Sequence, residues 1–285
     1  MDRMKPECRL RWRYLAGDDA MIWRLMFTRS GALVGQKRCL TQRRSLFFSI
    51  DDRSGQILFD DYLLLISEGG VPAGEGWFTG IETVSENYVY FHSYQESSPE
   101  HIGLWAADAA TGRMVWFRGD IVYCITIDEG FLVYIPSVFA GFPERNYLII
   151  DPLTGRELRR PGNDSGVINA LRLEAVFEEE RQEVTLPEFA VDGSVQCRML
   201  RGAGVAAPEY AECLTVDNVT AAAIHERHPS SGAWQSTLCI VHDGQLLYED
   251  IIAGKRDAPA VNSFLLRNRG LYYIKEASEL IVVDI

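Results

Sequence analysis

Short apolar runs of strand length alternate with tight turns along most of this chain. Three of the runs end at the same five-residue pattern, Asp-x-x-Ser/Thr-Gly, and each pattern leads into another strand-like run. The aspartate can accept hydrogen bonds from backbone N–H groups two or three residues on, and the glycine supplies the positive φ of a hairpin turn. Such repetition predicts a repeat fold of antiparallel strands. The copies are residues 51–55, 108–112 and 151–155.

A second series of turns lies upstream of these three and completes the repeat. Each of its members separates two apolar runs, so every unit reads strand, tight turn, strand, variable loop, strand, Asp-Gly turn, strand. Four antiparallel strands in about 45 residues are the strand count and size of a propeller blade. The upstream turns are residues 28–31, 85–87, 128–130, 217–218 and 268–270.

The repeat also predicts how many blades the chain forms and how its ends meet. The last unit lacks a fourth strand, and the apolar run at about residues 8–15 supplies one, which removes two exposed strand edges. We therefore predict an all-β fold, a six-bladed β-propeller of four-stranded antiparallel blades. It forms a single domain over residues 1–285, and residues 8–15 close the ring by completing the last blade. The units are 21–60, 77–119, 121–160, 165–201, 212–252 and 262–285.

The unit at 165–201 fits the repeat least well. Its charged run, residues 178–183, stands where the connection between the second and third strands is expected. A run of charges is usually a solvated loop or strand end, and we expect the same here. The basic residues at 37–38 and 43–44 are likewise expected on the solvated rim of the first variable loop.

Composition narrows the classes of partner. The formal net charge is −12, whereas nucleic acids and anionic membranes are bound by patches of Lys and Arg, so neither is expected as a partner. No apolar run has the length of a membrane span, and residues 1–7 lack the apolar core of a secretory signal. The six cysteines show no CxxC spacing, so we expect buried reduced thiols and neither metal nor cofactor. These features predict a cytoplasmic monomer.

The candidate residues for a ligand or partner follow from the blade pattern. In a propeller the variable loops share one face, and binding residues concentrate on such loops when a rigid scaffold holds them. We therefore expect binding on the variable-loop face and at the mouth of the central channel. The candidates are Trp77, Glu82, His92, Phe139, Phe142 and His225.

Two histidines bracket the variable loop at 94–101, with carboxylates nearby. A pair of His92 or His101 with a carboxylate suits acid–base chemistry, although polar loop residues without chemistry are the commoner case. Glu82 lies on a predicted inner strand, where it is either a channel carboxylate for a cation or polar ligand or, as we favour, the partner of an arginine in a neighbouring blade.

The aromatic candidates lie on predicted loops, where large rings either anchor a partner or pack onto the blade below. We predict that Phe139, Phe142 and Trp77 line one face and that at least one of them is exposed. His225 belongs to a His-Glu-Arg-His segment that reads as a strand, in which positions i and i+3 face opposite sides. A metal site at His225 is therefore disfavoured.

Two resemblances are visible in these motifs. Asp-x-x-Thr-Gly-x-x-x-Trp at residues 108–116 resembles the repeat of quinoprotein-like bacterial propellers, which marks a fold rather than an activity. The quinoprotein dehydrogenases have eight blades and a vicinal Cys-Cys pair, and this chain has neither, so their cofactor is not implied. Residues 22–25 and 103–108 resemble an uncharacterised bacterial family, a domain of unknown function, which implies no catalytic residues.

No catalytic motif is recognised, so we predict a non-enzymatic cytoplasmic module that binds a protein or a small molecule. The alternative is a propeller enzyme, similar to a lactonase or hydrolase, with a divalent cation at the channel mouth. That chemistry needs several carboxylates or asparagines in the channel. Only Glu82 and Glu212 are placed on predicted inner strands.

Overall fold

The repeated turns form as predicted in the computed structural model. The Oδ1 atom of each aspartate accepts a backbone hydrogen bond: from Ser54 to Asp51 at 2.8 Å, from Thr111 to Asp108 at 2.8 Å, and from Leu153 to Asp151 at 2.7 Å. The glycines that close the turns have φ of 73°, 69° and 67° at positions 55, 112 and 155. The turn chemistry read from the sequence is therefore confirmed.

The structure describes residues 8–66, 70–95, 98–190, 193–205 and 210–285. The chain divides into two compact units, residues 23–182 and residues 1–22 together with 183–285. Strands hold 57% of the residues and helices 10%, which confirms the all-β class. A single domain over 1–285 stays a prediction.

The strands are numbered in chain order. They are β1 (Arg9–Leu15), β2 (Ala20–Phe27), β3 (Ala32–Cys39), β4 (Arg44–Asp51), β5 (Ile57–Tyr62), β6 (Thr79–Val84), β7 (Tyr88–Tyr94), β8 (His101–Asp108), β9 (Met114–Arg118), β10 (Val122–Ile127), β11 (Gly130–Phe139), β12 (Phe142–Ile150), β13 (Glu157–Gly162), β14 (Val184–Thr185), β15 (Glu188–Phe189), β16 (Ala211–Val216), β17 (Val219–Arg227), β18 (Trp234–His242), β19 (Gln245–Arg256), β20 (Phe264–Arg267), β21 (Gly270–Lys275) and β22 (Glu279–Asp284). The helices are α1 (Ser165–Glu174), α2 (Glu178–Arg181) and α3 (Val195–Gly202), with a 3₁₀ turn at Ala73–Gly76.

Five antiparallel sheets are present among the described residues. Residues 23–182 hold most of three of them, in the strand orders β2-β3-β4-β5, β6-β7-β8-β9 and β10-β11-β12-β13. The other unit holds β15-β16-β17-β18-β19 and β1-β22-β21-β20-β14. Each sheet contains one predicted four-stranded unit, and every sheet is open at both edges.

The two ends of the described chain pair in the last of these sheets. β1 runs antiparallel to β22, from Arg9 opposite Asp284 to Leu15 opposite Glu279. Trp12 and Tyr14 are buried along this strand. The pairing that the sequence predicted for residues 8–15 is therefore confirmed.

The predicted blade at 165–201 is wrong. Its described residues form α1, α2 and α3 and only two strands of two residues each, which pair with β20 and β16. The side chain of Asp164 caps α1 by accepting hydrogen bonds from Gly166 N and Val167 N, and Ser194 caps α3. Ile168 then packs on the third sheet beside Leu132 and Ile149. Capping and helical spacing of apolar residues override the repeat here.

The charged run near residue 180 is also placed differently from the prediction. Gln182 is buried, and its Oε1 accepts a hydrogen bond from Phe27 N at 2.6 Å. Arg181 donates to the backbone oxygen of Val84 at 2.9 Å, and Glu178 accepts from Thr83 Oγ1 at 3.1 Å. The solvated-loop interpretation is therefore wrong for this part of the run, which satisfies backbone groups at the ends of β2 and β6.

The cysteines are free thiols, three of them buried and three partly buried. Burial raises the pKa of Cys124 to about 11 and that of Cys213 to about 12, so both stay protonated at neutral pH. None of the helices that the structure describes has the length and apolar character needed to cross a membrane.

Candidate functional site

Two interruptions of the β6–β9 sheet bring three polar side chains together. The register of β6 and β7 shifts between the pairs Ile81–Phe91 and Thr83–Tyr90, so Glu82 is the extra residue of a β-bulge. The register of β7 and β8 shifts around His92, between Phe91 and Ser93. Bulges re-aim side chains that a regular pleat would direct elsewhere. Here they bring Glu82 and His92 to the same place.

The resulting Glu82–His92–His101 cluster is tight. His101 Nδ1 lies 2.7 Å from Glu82 Oε2, and His92 Nδ1 lies 2.8 Å from the same oxygen. The two imidazole rings stack with centroids 3.6 Å apart and planes within 10°, and the ring of Tyr94 meets both edge-on. The prediction that Glu82 pairs with an arginine of a neighbouring blade is wrong, because the carboxylate faces histidines of its own sheet.

A glycine gives His92 its place in the sheet. Gly80 lies opposite His92 in the ladder, and a Cβ atom at Gly80 would lie 2.7 Å from His92 Nε2. Any larger residue at position 80 therefore displaces the imidazole. The absence of a side chain at Gly80 leaves the space that the His92 ring occupies.

Glu82 and His92 differ in charge at neutral pH, because the pKa of each is shifted by its surroundings. Burial alone would raise the pKa of Glu82, but the hydrogen bond from His101 and the nearby Nδ1 of His92 outweigh burial and bring the pKa to about 2. Burial lowers the pKa of His92, and Glu82 offsets this only in part. At neutral pH an ionised carboxylate therefore lies beside a neutral, buried imidazole.

His92 is incompletely bonded. Its side chain is 2% exposed, and neither Nδ1 nor Nε2 has a hydrogen-bond partner of acceptable geometry within the described residues. A buried polar atom without a partner costs about 1–3 kcal/mol, and such atoms usually mark water, an ion or a ligand. His92 thus directs an unused nitrogen into a site that already contains a carboxylate.

The cluster is open on the side of His101. The His101 side chain is 31% exposed, against 11% for Glu82. The neighbouring residue Glu100 forms a 3.4 Å ion pair with Arg145 of β12, so charged groups border this opening. Glu96, which the sequence also places near these histidines, lies outside the described residues. Solvent therefore reaches the cluster at His101.

The basic residues of β3 make stacking contacts and ion pairs in the same unit, and Trp77 takes part in the stacking. The guanidinium of Arg38 lies 5.0 Å from the centroid of the Trp77 ring and 4.7 Å from that of Trp23. Lys37 is buried, with Nζ 2.7 Å from carboxylate oxygens of Asp60 and Asp61. The expectation of a solvated basic rim is wrong for Lys37 and Arg38, and Trp77 is a half-buried stacking partner.

Phe139 and Phe142 lie in strands and not, as predicted, in a loop. They face each other as the last pair of the β11–β12 hairpin, which turns through Ala140 and Gly141 with φ of 49° and 85°. Their side chains are 69% and 74% exposed, and Val138 beside them is 73% exposed. We name Val138, Phe139 and Phe142 the apolar arm. Whether it shares a face with Trp77 stays a prediction.

His225 belongs to a buried network in the other unit. Its Nδ1 lies 2.8 Å from Ser236 Oγ, and its Nε2 lies 3.5 Å from Glu212 Oε2. Glu212 accepts the backbone N–H of Asn262 on both oxygens, at 3.1 and 2.9 Å, and Ser236 accepts that of Ala260 at 3.1 Å. Glu212, His225 and Ser236 are all buried, so this network stabilises the sheet and offers a ligand no access.

Comparison with known proteins finds one family model that matches part of the chain. The family model described as "Domain of unknown function (DUF4905)" matches residues 28–116, which is less than half of the chain and includes the three residues of the cluster. This supports the predicted likeness to an uncharacterised family over those residues. A quinoprotein-like propeller is not confirmed. No curated protein matches the chain.

One solved structure is similar at a low level. It is the acylaminoacyl peptidase of Pyrococcus horikoshii in its orthorhombic crystal form, with a TM-score of 0.27 and 10% identity. The likeness covers 90% of this chain and 36% of the peptidase chain. Because this chain spans about a third of the peptidase and the score is low, the likeness establishes neither a shared fold nor a shared activity.

Proposed function

We propose that this chain is a binding module whose ligand site is the Glu82–His92–His101 cluster. The observation that supports it is His92, a buried imidazole whose two nitrogens have no aligned partner among the described residues. A purely structural histidine is normally satisfied by hydrogen bonds. A ligand that bonds to His92 explains why the sheet accepts an interruption on each side of it.

The chemistry of the cluster sets the kind of ligand. The ionised carboxylate of Glu82 favours a cation or a hydrogen-bond donor, and the neutral imidazole of His92 adds a nitrogen acceptor. The net charge of −12 argues against nucleic acid and anionic membranes as partners. A small polar or cationic ligand fits best.

The finer fold that the repeat predicts is part of the same proposal. We propose that the sheets are blades of one propeller, five in number and not six, because residues 165–201 supply helices in place of a blade. The pairing of β1 with β22 supports closure between the chain ends. Free cysteines support a reducing, cytoplasmic location. A crystal structure in which the five sheets share no common axis refutes the propeller.

A thermal-shift screen tests the binding site. Wild-type protein and the Glu82→Gln variant are heated with divalent cations and with small amines, carboxylic acids, sugars and nucleotides. The proposal predicts at least one compound that raises the Tm of wild type and of the control His228→Gln, an exposed histidine, but not that of Glu82→Gln. The proposal fails if every compound shifts wild type and Glu82→Gln equally.

A hydrolase is the second candidate function. The partly exposed His101 leaves one side of a histidine–carboxylate cluster open, as a site with an activated water requires. The test is hydrolysis of p-nitrophenyl acetate and of a simple lactone, with and without added Zn²⁺. Hydrolysis by wild type that is lost in Glu82→Gln supports an enzyme. Equal background rates in the two proteins count against an enzyme and leave the binding module as the proposed function.

A further inference from the structure

We infer that Glu82, His92 and His101 together bind one divalent transition-metal ion, for which Zn²⁺ is the probe. This inference rests on the proposed function, since it names the ligand class of the same site. Each side chain offers one ligand atom, and these atoms all lie within 4.8 Å of one another. It is the one group of three such side chains found this close together in the part of the chain that the structure describes.

The donor set is one that proteins use for transition metals. Two imidazole nitrogens and one carboxylate oxygen bind Zn²⁺ in hydrolytic sites and Fe²⁺ in other enzymes, with further positions left for water. Hard cations such as Ca²⁺ and Mg²⁺ prefer sites made of oxygen ligands. The two histidines therefore favour a transition metal over Ca²⁺ or Mg²⁺.

The distances show what binding must change. Ligand atoms about 2.0–2.1 Å from a tetrahedral ion are about 3.3 Å apart. The nitrogen–oxygen separations in the cluster are 2.7 and 2.8 Å, so an ion that enters must spread the three ligands. The nearly parallel rings cannot both direct a lone pair at one ion, so one ring must turn. His101 is the more exposed of the two and has room to do so.

Metal binding also gives the buried His92 ring the bonding partner that it lacks among the described residues. A hydrogen bond to Glu82 is not formed at the angle that the structure shows, although the nitrogen is close. An ion between the two groups gives the imidazole nitrogen a bond and neutralises the carboxylate at the same time.

The buried network around His225 provides an internal contrast. It contains one carboxylate, one imidazole and a serine, and the carboxylate already accepts two backbone contacts from Asn262. Its carboxylate is therefore already occupied, and the network lacks the second histidine that the cluster has. We expect no metal at His225.

Isothermal titration of metal-free protein with ZnCl₂ tests the inference. Protein treated with EDTA and dialysed should bind one Zn²⁺ per chain, as should the exposed-histidine control His228→Gln. Glu82→Gln and His101→Gln should bind at least about 100-fold more weakly, since even loss of a group behind a ligand costs 10–100-fold. Co²⁺ added in place of Zn²⁺ should give visible absorption bands in wild type that both variants lose.

The outcomes separate the inference from the proposed function. Wild type that binds no stoichiometric Zn²⁺ or Co²⁺, or variants that bind as well as wild type, overturn the metal site. If an organic compound in the thermal-shift screen still depends on Glu82, the binding module stands without the metal. Circular dichroism of each variant shows whether it is folded, and His101→Gln, at the exposed end of the cluster, is the variant least affected in folding.

Discussion

Two glutamate–histidine pairs in this chain use the same residue types in different surroundings. Glu212 and His225 are closed off, with the backbone N–H of Asn262 bonded to Glu212 and Ser236 bonded to His225. Glu82 and His92 lack such backbone donors among the described residues and open toward solvent through a second histidine. Burial is similar for the two imidazoles, so burial alone does not separate a structural histidine from a ligand-binding one. His225 Nε2 also lacks an aligned partner among the described residues, so the two sites differ in the second histidine beside Glu82 and in the Asn262 N–H that already bonds to Glu212.

The largest expected effect lies in the closed pair. Glu212→Ala removes the acceptor of the Asn262 N–H and leaves a cavity, so the free energy of unfolding should fall by about 2–4 kcal/mol. Urea unfolding measures the loss against Glu249→Ala, an exposed glutamate of the same sheet. Equal losses for the two variants would contradict a structural role for Glu212.

The contribution of the Glu82–His92 pair to the free energy of unfolding should depend on pH. The folded-state pKa of Glu82 is about 2, below its ordinary value of 4.5, so ionised Glu82 stabilises the fold at pH values above 4.5. This contribution, on the order of 2–3 kcal/mol, is lost as the pH falls from 4.5 toward 2. Metal-free wild type should exceed Glu82→Gln in stability at pH 7, and the difference should vanish near pH 2.

Urea unfolding of both proteins from pH 7 to pH 2.5 measures this difference. The exposed variant Glu249→Gln is the control and should track wild type throughout. A difference between wild type and Glu82→Gln that does not change with pH would show that the carboxylate is not held ionised by its histidines.

A smaller effect is expected at the serine of the closed pair. Ser236→Ala removes the partner of His225 Nδ1 and the acceptor of the Ala260 N–H. A loss of about 1–2 kcal/mol in unfolding free energy should follow. Ser230→Ala, at an exposed turn of the same hairpin, should change stability little. A neutral Ser236→Ala would mean that the network tolerates an unsatisfied imidazole as the open cluster does.

The smallest effect on stability is expected at His101. The side chain is 31% exposed, and glutamine retains a donor for Glu82, so His101→Gln should cost less than about 1 kcal/mol. The same variant should lose Zn²⁺ binding. Thermal unfolding and titration of one preparation measure both quantities. A large loss of stability would place His101 with the structural network and remove the contrast between the two pairs.

Most of the sheet structure was predictable because its signals are local. The Asp-x-x-Ser/Thr-Gly turns fix hairpins through bonds within five residues, and the two-residue side-chain period then places the strands. The segment at 165–201 was missed because the repeat was extended across it. Asp164 and Ser194 are recognisable helix caps, and the apolar residues at 168 and 171 have helical spacing.

The candidate site was predictable only in parts. Glu82 and His92 were identified singly, and His101 was noted beside them, but their contact depends on two bulges that have no sequence signature here. A one-residue shift changes which face a side chain occupies, so strand periodicity misplaces such residues. The position of Arg38 was missed for another reason, since its stacking on the rings of Trp23 and Trp77 depends on residues distant in sequence.

The pairing of β1 with β22 has a consequence for biosynthesis. β1 ends at Leu15 and its partner begins at Glu279, so during translation β1 waits for more than 260 further residues before it can pair. At about 5–20 residues per second this delay is about 15–50 s. During that time Trp12 and Tyr14 have no partner strand to cover them, and an unpaired apolar strand readily joins other chains. Nascent chains of this protein should therefore depend on a holdase chaperone until translation reaches β22.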